Sequence, residues 1–173
     1  MSAIEVSYHW SEQEYLEAAD QHGRFGGGDS KDKIVAAVVG VLIVLSLYMM
    51  MQRGFKPADS MAFVLAIYWF GFRKRMHKNL LLRRFNSSDQ KDKAISLSIT
   101  DEQINAQTEG QSEGNFDWST VTKVVRTASG FLMYRGANYL WLPNKAFASD
   151  EESTRFAALS ERKAKQYIDK YAS

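Results

Sequence analysis

The run Ile34–Met51 limits what this chain can fold into more than any other feature. It is eighteen residues long without a charge, and Ser46 is its only hydroxyl besides Tyr48. Crossing the hydrocarbon core of a bilayer takes about 17–25 such residues as a helix. A buried helix of that length in a water-soluble domain keeps a polar face, whereas this run is apolar all round. A cleaved leader fits poorly, because the run starts late, behind an acidic stretch, with no small-residue cleavage site after it. The run therefore reads as a transmembrane helix over about 34–51.

A second apolar segment, Met61–Phe72, has twelve residues, or sixteen if it starts at Pro57 and takes in Asp59. Sixteen helical residues cover about 24 Å, short of a core of about 30 Å. Snorkelling Arg73, Lys74 and Arg75 make up the difference, and Tyr68, Trp69 and Phe72 sit where an interfacial aromatic belt belongs. A re-entrant or interfacial helix is the alternative. The connector Gln52–Pro57 is short, with Gly54 and Pro57 as breakers, and Pro57 suits a first helical turn. Asp59 reads as an exposed helix-start acid rather than an intramembrane one. The expectation is a two-helix transmembrane hairpin, with spans at about 34–51 and 57–73 inside a region 31–85. Small residues at Gly40, Ser46 and Ala36–Ala37 permit close helix approach.

Charge sets the orientation. The formal net charge of +2 hides a block from Arg73 to Arg84 with six bases, His77 and no acid, while residues 1–33 carry seven acids against three bases. Positive charge beside a span stays cytoplasmic, so both termini are placed inside, in the cell (inner) membrane. Arg73, Lys74, Arg75, Lys78, Arg83 and Arg84 read as contacts for anionic lipid, each contributing about 1 kcal/mol near the surface. Met76 and Leu80–Leu82 among them suggest a helix running along the interface.

Outside the hairpin the pattern is that of a small α+β domain. Ile4–Tyr8 alternates as a half-buried strand does, and Ser11–Glu14 has capping-box spacing for a helix to about Gln21. Gly26–Gly28 reads as a linker, since no Gly-Lys-Ser/Thr follows. Ala94–Thr100, Gln103–Thr108, Asn115–Trp118, Val121–Thr127, Phe131–Tyr134 and Asn138–Leu142 are short strands parted by turn signals. They predict an antiparallel meander, a curved sheet or half-barrel over 86–173. Ser149 and Asp150 begin a C-terminal helix over 150–171, with Phe156, Leu159, Lys163, Tyr167 and Tyr171 as its stripe. With both termini on one membrane face, residues 1–30 are expected to complete the soluble domain.

The order of these features, with Phe116–Ser119, Val121–Val125, Phe131–Tyr134 and Leu142–Phe147, resembles bacterial YcxB-like membrane proteins. The resemblance spans nearly the whole chain. It implies a membrane-anchored cytoplasmic domain with a pleckstrin-homology-like look, and brings no catalytic residues. At its motif positions Trp118, Ser119, Pro143, Lys145 and Phe147, the residues themselves suggest core packing: Trp118 as an anchor with its N–H bonded near a strand edge, and Phe147 under the last helix.

Signs of catalysis are lacking. The chain has no cysteine, which removes disulfides, thiolates and cysteine metal sites. His9, His22 and His77 lack metal-ligand spacing, and no nucleophile, base and orienter stand together. The sequence points to no enzyme, no cofactor and no metal, with the lipid bilayer and a protein partner or second copy as partners. Nucleic acid is not expected, and no small-molecule substrate is identified. Two other readings stay open: an accessory subunit docking through its hairpin, and an enzyme with an unrecognised site.

Overall fold

Alternating strands and one apolar run lead to a chain with two compact units. The computed structural model describes residues 3–26, 29–110 and 114–171. One unit comprises Met1–His22 and Ser88–Ser173, and the other comprises Gly23–Ser87.

The first unit is an α+β body with two four-stranded sheets. Sheet A runs β1 (Ile4–His9), β2 (Ala94–Ile99), β3 (Gln103–Thr108) and β4 (Gly114–Asp117), all antiparallel neighbours. Ile4, Val6 and Tyr8 are buried while Glu5, Ser7 and His9 are exposed, so the period-two pattern alone orients β1. β1 pairs along its whole length with β2, from Ile4 opposite Ile99 to His9 opposite Ala94. The two parts of the chain on either side of the apolar run thus share one ladder.

Sheet B has the order β7 (Asn138–Pro143), β6 (Gly130–Arg135), β5 (Lys123–Arg126) and β8 (Tyr167–Asp169). A bridge from Val6 to Phe147 joins the far side of β1 to the chain after β7. The main core lies between the sheets and under helix α5 (Asp150–Lys163). Val6, Leu97, Ile99, Ile104, Phe131, Met133, Leu142 and Phe156 are essentially sealed there. Burying each large apolar side chain contributes about 1.5–3 kcal/mol. Phe156 is edge-on to Phe131 and tilted against Phe147 at 5.6 Å, which seats the helix. Its N-terminus is capped by Ser149, whose Oγ accepts from Glu152 N at 3.3 Å.

Sheet B is buried on its other face as well. Leu132, Val125 and Trp141 point away from the main core yet are almost wholly buried. Helix α1 (Glu12–Phe25) turns Glu14, Ala18 and Gln21 inward at helical spacing, and Trp141 donates its indole N–H to Glu14.

The C-terminal segment corrects an expectation. The helix ends at Lys163, with Ala164 already extended (ψ 148°), and Tyr167–Asp169 forms β8 parallel to β5 instead of continuing to Tyr171. Phe156 and Leu159 do form the buried stripe, but Lys163 is exposed. Tyr167 is half-buried on the β5 edge, where tertiary pairing overrides helical spacing.

Gly130 marks the tightest approach in the fold. Its φ is 157°, and a Cβ there would run into the Leu142 carbonyl oxygen, the Pro143 Cα at 2.8 Å and the Trp141 ring at 3.0 Å. Two of these are backbone atoms that cannot rotate away. Gly130→Ala is expected to destabilise the domain by about 3 kcal/mol, read as a lowered urea midpoint. An unchanged midpoint would show that β6 and β7 are not held this closely.

Candidate functional site

The second unit carries the surface most unlike that of a water-soluble protein. Helix α2 (Asp29–Arg53) contains the stretch Lys33–Arg53, of mean hydropathy 2.7, with only 6% of it buried. Among the described residues it is the one helix long and apolar enough to cross a membrane. A 3-10 turn (Pro57–Asp59) leads into α3 (Ser60–Ile67). A π-helical turn (Tyr68–Phe72) then joins α3 to α4 (Arg73–Asn86), with helical backbone at each junction. α3 packs back along α2.

The less exposed positions recur at three- and four-residue steps: Ala36, Val39, Gly40, Ile43 and Ser46 on α2, and Ala62, Phe63, Ala66 and Trp69 on the returning helix. These are the inward stripes. The large apolar side chains lie outward, among them Ile34, Val44, Met51, Met61, Val64 and Phe70. That is the reverse of a water-soluble helix pair. A Cβ at Gly40 would meet nothing within 4 Å in this chain.

The loop end is closed by charge. Asp59 accepts from Arg53 at 2.9 Å and from the Lys56 backbone N–H at 2.9 Å, and is 5% exposed. It does start a helix, as the N-cap of α3, but it is not exposed as the sequence suggested. The turn at Gly54 (φ 74°) folds Arg53 over it.

At the opposite end, Lys74, Arg75, Lys78, Arg83 and Arg84 are exposed on α4, and Arg73 is half-buried with its guanidinium 4.2 Å from the Trp69 ring. At 100° per residue the bases of Arg73–Lys78 spread around most of the helix. α4 continues the apolar helix as a stalk whose bases face several sides.

In the first unit, chemistry-bearing side chains gather where α1 covers sheet B. The buried Glu14 carboxylate accepts from Trp141 Nε1 at 2.8 Å and pairs with the Lys145 ammonium, while Tyr8 donates to the Trp141 carbonyl. Burial and the Glu14 charge raise the Tyr8 pKa, which keeps that donor protonated. Further along α1, His22 Nδ1 lies 3.0 Å from the Tyr134 hydroxyl and its ring stacks on Tyr139 at 4.3 Å. Lys123 sits 4.3 Å over the Tyr134 ring. Burial pushes Tyr134 up to about 12, so its hydroxyl stays protonated beside the His22 ring. These groups occupy one another, an arrangement that fixes α1 in place rather than presenting a free nucleophile.

The five motif positions are placed as follows. Trp118 is buried and donates to the Thr100 carbonyl at 2.8 Å, and Phe147 lies between Phe131 and Phe156. Pro143 ends β7, and Ser119 lies in an exposed 3-10 turn. Lys145 reaches across to Glu14. The Glu14, Trp141 and His22 cluster escaped sequence reasoning. Its signal is the unbroken apolar run Phe131–Tyr134, which marks a strand covered on both faces. Among the described residues no group of His, Asp and Glu is able to hold a metal.

Residues 99–160 match the family described as YcxB-like protein, a stretch from the end of β2 into α5. No curated protein and no solved structure matches the chain.

Glu14→Ala leaves the Trp141 N–H buried and unpaired, and is expected to lower the unfolding free energy by about 2 kcal/mol, measured by urea denaturation. His22 gives a pH signature. Burial, aided by the Lys123 charge, lowers its pKa in the fold. Its contribution is therefore complete above the unfolded value of about 6.5 and is lost as pH falls below that toward the folded value. The urea midpoint is expected to decline as pH drops from about 7 to about 5, and less steeply in His22→Gln. Parallel declines would remove His22 from the account.

Proposed function

We propose that this chain, which carries a YcxB-like domain, is a membrane-anchored interaction module: a two-helix hairpin crosses the bilayer, and the β-rich unit works on the cytoplasmic face without catalysis. The observation that carries this reading is the inverted hairpin surface. The soluble alternative for an apolar helix is a core helix, yet almost none of Lys33–Arg53 is buried. Exposed Val, Leu, Ile, Met and Phe over two facing helices form a patch far larger than water-soluble monomers tolerate.

The second helix is the weaker span by composition. Its apolar part, Pro57–Phe72, spans about 24 Å, against about 27 Å for Ile34–Met51, so the two are matched to each other. Arg73, Lys74, Arg75 and Lys78 then fall at headgroup level, and Arg73 on Trp69 forms an interfacial pair. The paired Asp59 and Arg53 enter the opposite interface as a compensated unit instead of two separate charges.

The β-rich unit supports a pleckstrin-homology-like reading through its two packed sheets and the helix α5 near its C-terminal end. Interaction, rather than chemistry, suits a body whose polar clusters satisfy themselves. Its partner on this reading is a protein or an anionic headgroup brought close by the basic stalk.

Labelling of single cysteines by an impermeant reagent tests the topology, since the chain has no native cysteine. Phe55→Cys in the connector is expected to react from the outer face only, and Ser88→Cys after the stalk from the cytoplasmic face only. Reaction of both from one side would replace the hairpin with a re-entrant or surface-bound segment.

A further inference from the structure

A cavity of about 340 Å3 lies in the α+β unit between the end of sheet A and α5. Its floor is apolar. Ile4 and Ile99, opposite one another at the end of the β1–β2 ladder, meet Leu159 of α5 there, and each is at most 5% exposed. One wall is Thr100, whose polar atoms are engaged in the β2–β3 turn. Its Oγ1 donates to the Gln103 carbonyl at 2.9 Å, and its own carbonyl accepts the Trp118 indole N–H at 2.8 Å. These bonds fix the wall and leave the lining with little hydrogen-bonding capacity.

The charged groups stand at the mouth. Arg155, Ala158, Leu159 and Arg162 follow at three- and four-residue steps on α5, so they share a face, with the two arginines about 10 Å apart along the axis. Both arginines are exposed, and Ala158 between them adds little bulk. Asp101 meets Arg162 at 3.6 Å, a solvent-exposed contact of small energetic weight. Two guanidiniums against one carboxylate give the mouth a net positive charge. An apolar chamber at the lower end of the range of about 300–1,000 Å3 for small-ligand sites, with a few convergent polar groups, has the form of a binding site.

We propose that this cavity binds a small amphipathic monocarboxylate, its hydrocarbon body on Ile4, Ile99 and Leu159 and its carboxylate between Arg155 and Arg162. The class follows from the two halves of the site. The lining offers burial to an apolar body and few hydrogen bonds, and the net charge at the mouth matches a single negative charge. A guanidinium fork takes a carboxylate through two parallel bonds, which the long single contact from Asp101 does not supply. Asp101 is therefore a competitor for Arg162, and the anion binds by displacing it. The site lies wholly within the α+β unit and does not depend on the membrane anchor.

The test uses a photoreactive diazirine analogue of octanoate on the full-length chain in zwitterionic nanodiscs, with labelled peptides read by mass spectrometry. Saturable labelling within Ile99–Asp101 or Asp150–Lys163 is expected, competed by octanoate and not by octylamine, its cationic counterpart. Ala158→Trp fills the mouth and is expected to abolish that labelling with thermal melting unchanged. Arg155→Gln and Arg162→Gln, both at exposed positions, are each expected to raise the half-saturating concentration about tenfold, and they carry the test if the Trp variant does not fold. Asp101→Asn is expected to lower it by releasing Arg162. Labelling confined to the hairpin, equal competition by octylamine, or half-saturation unmoved by both Arg variants overturns the proposal. Weaker binding in Asp101→Asn overturns it too.

Discussion

Strand β1 holds the α+β unit together. It lies before the apolar run in sequence, yet it completes sheet A along six register pairs with β2. Its inward side chains Ile4, Val6 and Tyr8 belong to the main core. Val6 bridges to Phe147, and Tyr8 donates to the Trp141 carbonyl, so this one strand also fastens sheet A to sheet B. α1, which follows β1 directly, then seals the second face of sheet B through Glu14 and His22. Remove β1 and the domain loses an edge of its first sheet and the Val6 and Tyr8 ties to the second.

That arrangement makes the apolar region an insertion between two neighbouring strands. Antiparallel neighbours need only a short connection, and here the connection is two long helices. Loop-closure entropy grows slowly with length, and a connection structured as a hairpin brings its own ends together. The two units therefore obey opposite solvation rules. In one, large apolar residues are inside and most charged residues are outside, Glu14 being the buried exception. In the other, Val39, Ile43, Ala62, Phe63, Ala66 and Trp69 are among the less exposed residues, and most of the bulky side chains face outward.

The parts legible in the sequence were those where a single period governs. Ala94–Thr100, Gln103–Thr108 and Ile4–Tyr8 alternate because one face of each is buried, and strands occur there. Trp118 and Phe147 read as core residues because large aromatics at strand ends bring their own burial. What escaped depended on tertiary contact. Tyr167 and Tyr171 fall on the α5 stripe by count, but Tyr167 belongs to a strand on the β5 edge and Tyr171 lies in the turn beyond it. Asp59 looks like a surface acid until Arg53 folds over it. The layer formed by α1 was invisible because a polar helix bearing Glu14 and Gln21 inward gives little apolar signal. The bases of α4 were readable as a block beside the apolar segment, but their spread around the helix needed the unbroken run from α3 through the π turn.

The central claim, that β1 and the C-terminal sheets form one domain into which the hairpin is inserted, is tested most directly by excising the hairpin. A chain in which a short Gly-Ser linker joins Arg24 to Ser88 is made without detergent, and amide hydrogen exchange is followed residue by residue. The account expects a soluble domain in which β1 amides are protected to the same degree as those of β2, both opening with the global unfolding transition. Fast exchange across Ile4–His9 while β2 and β3 stay protected would contradict it, and would make the N-terminal segment an appendage of the hairpin instead of a strand of the domain.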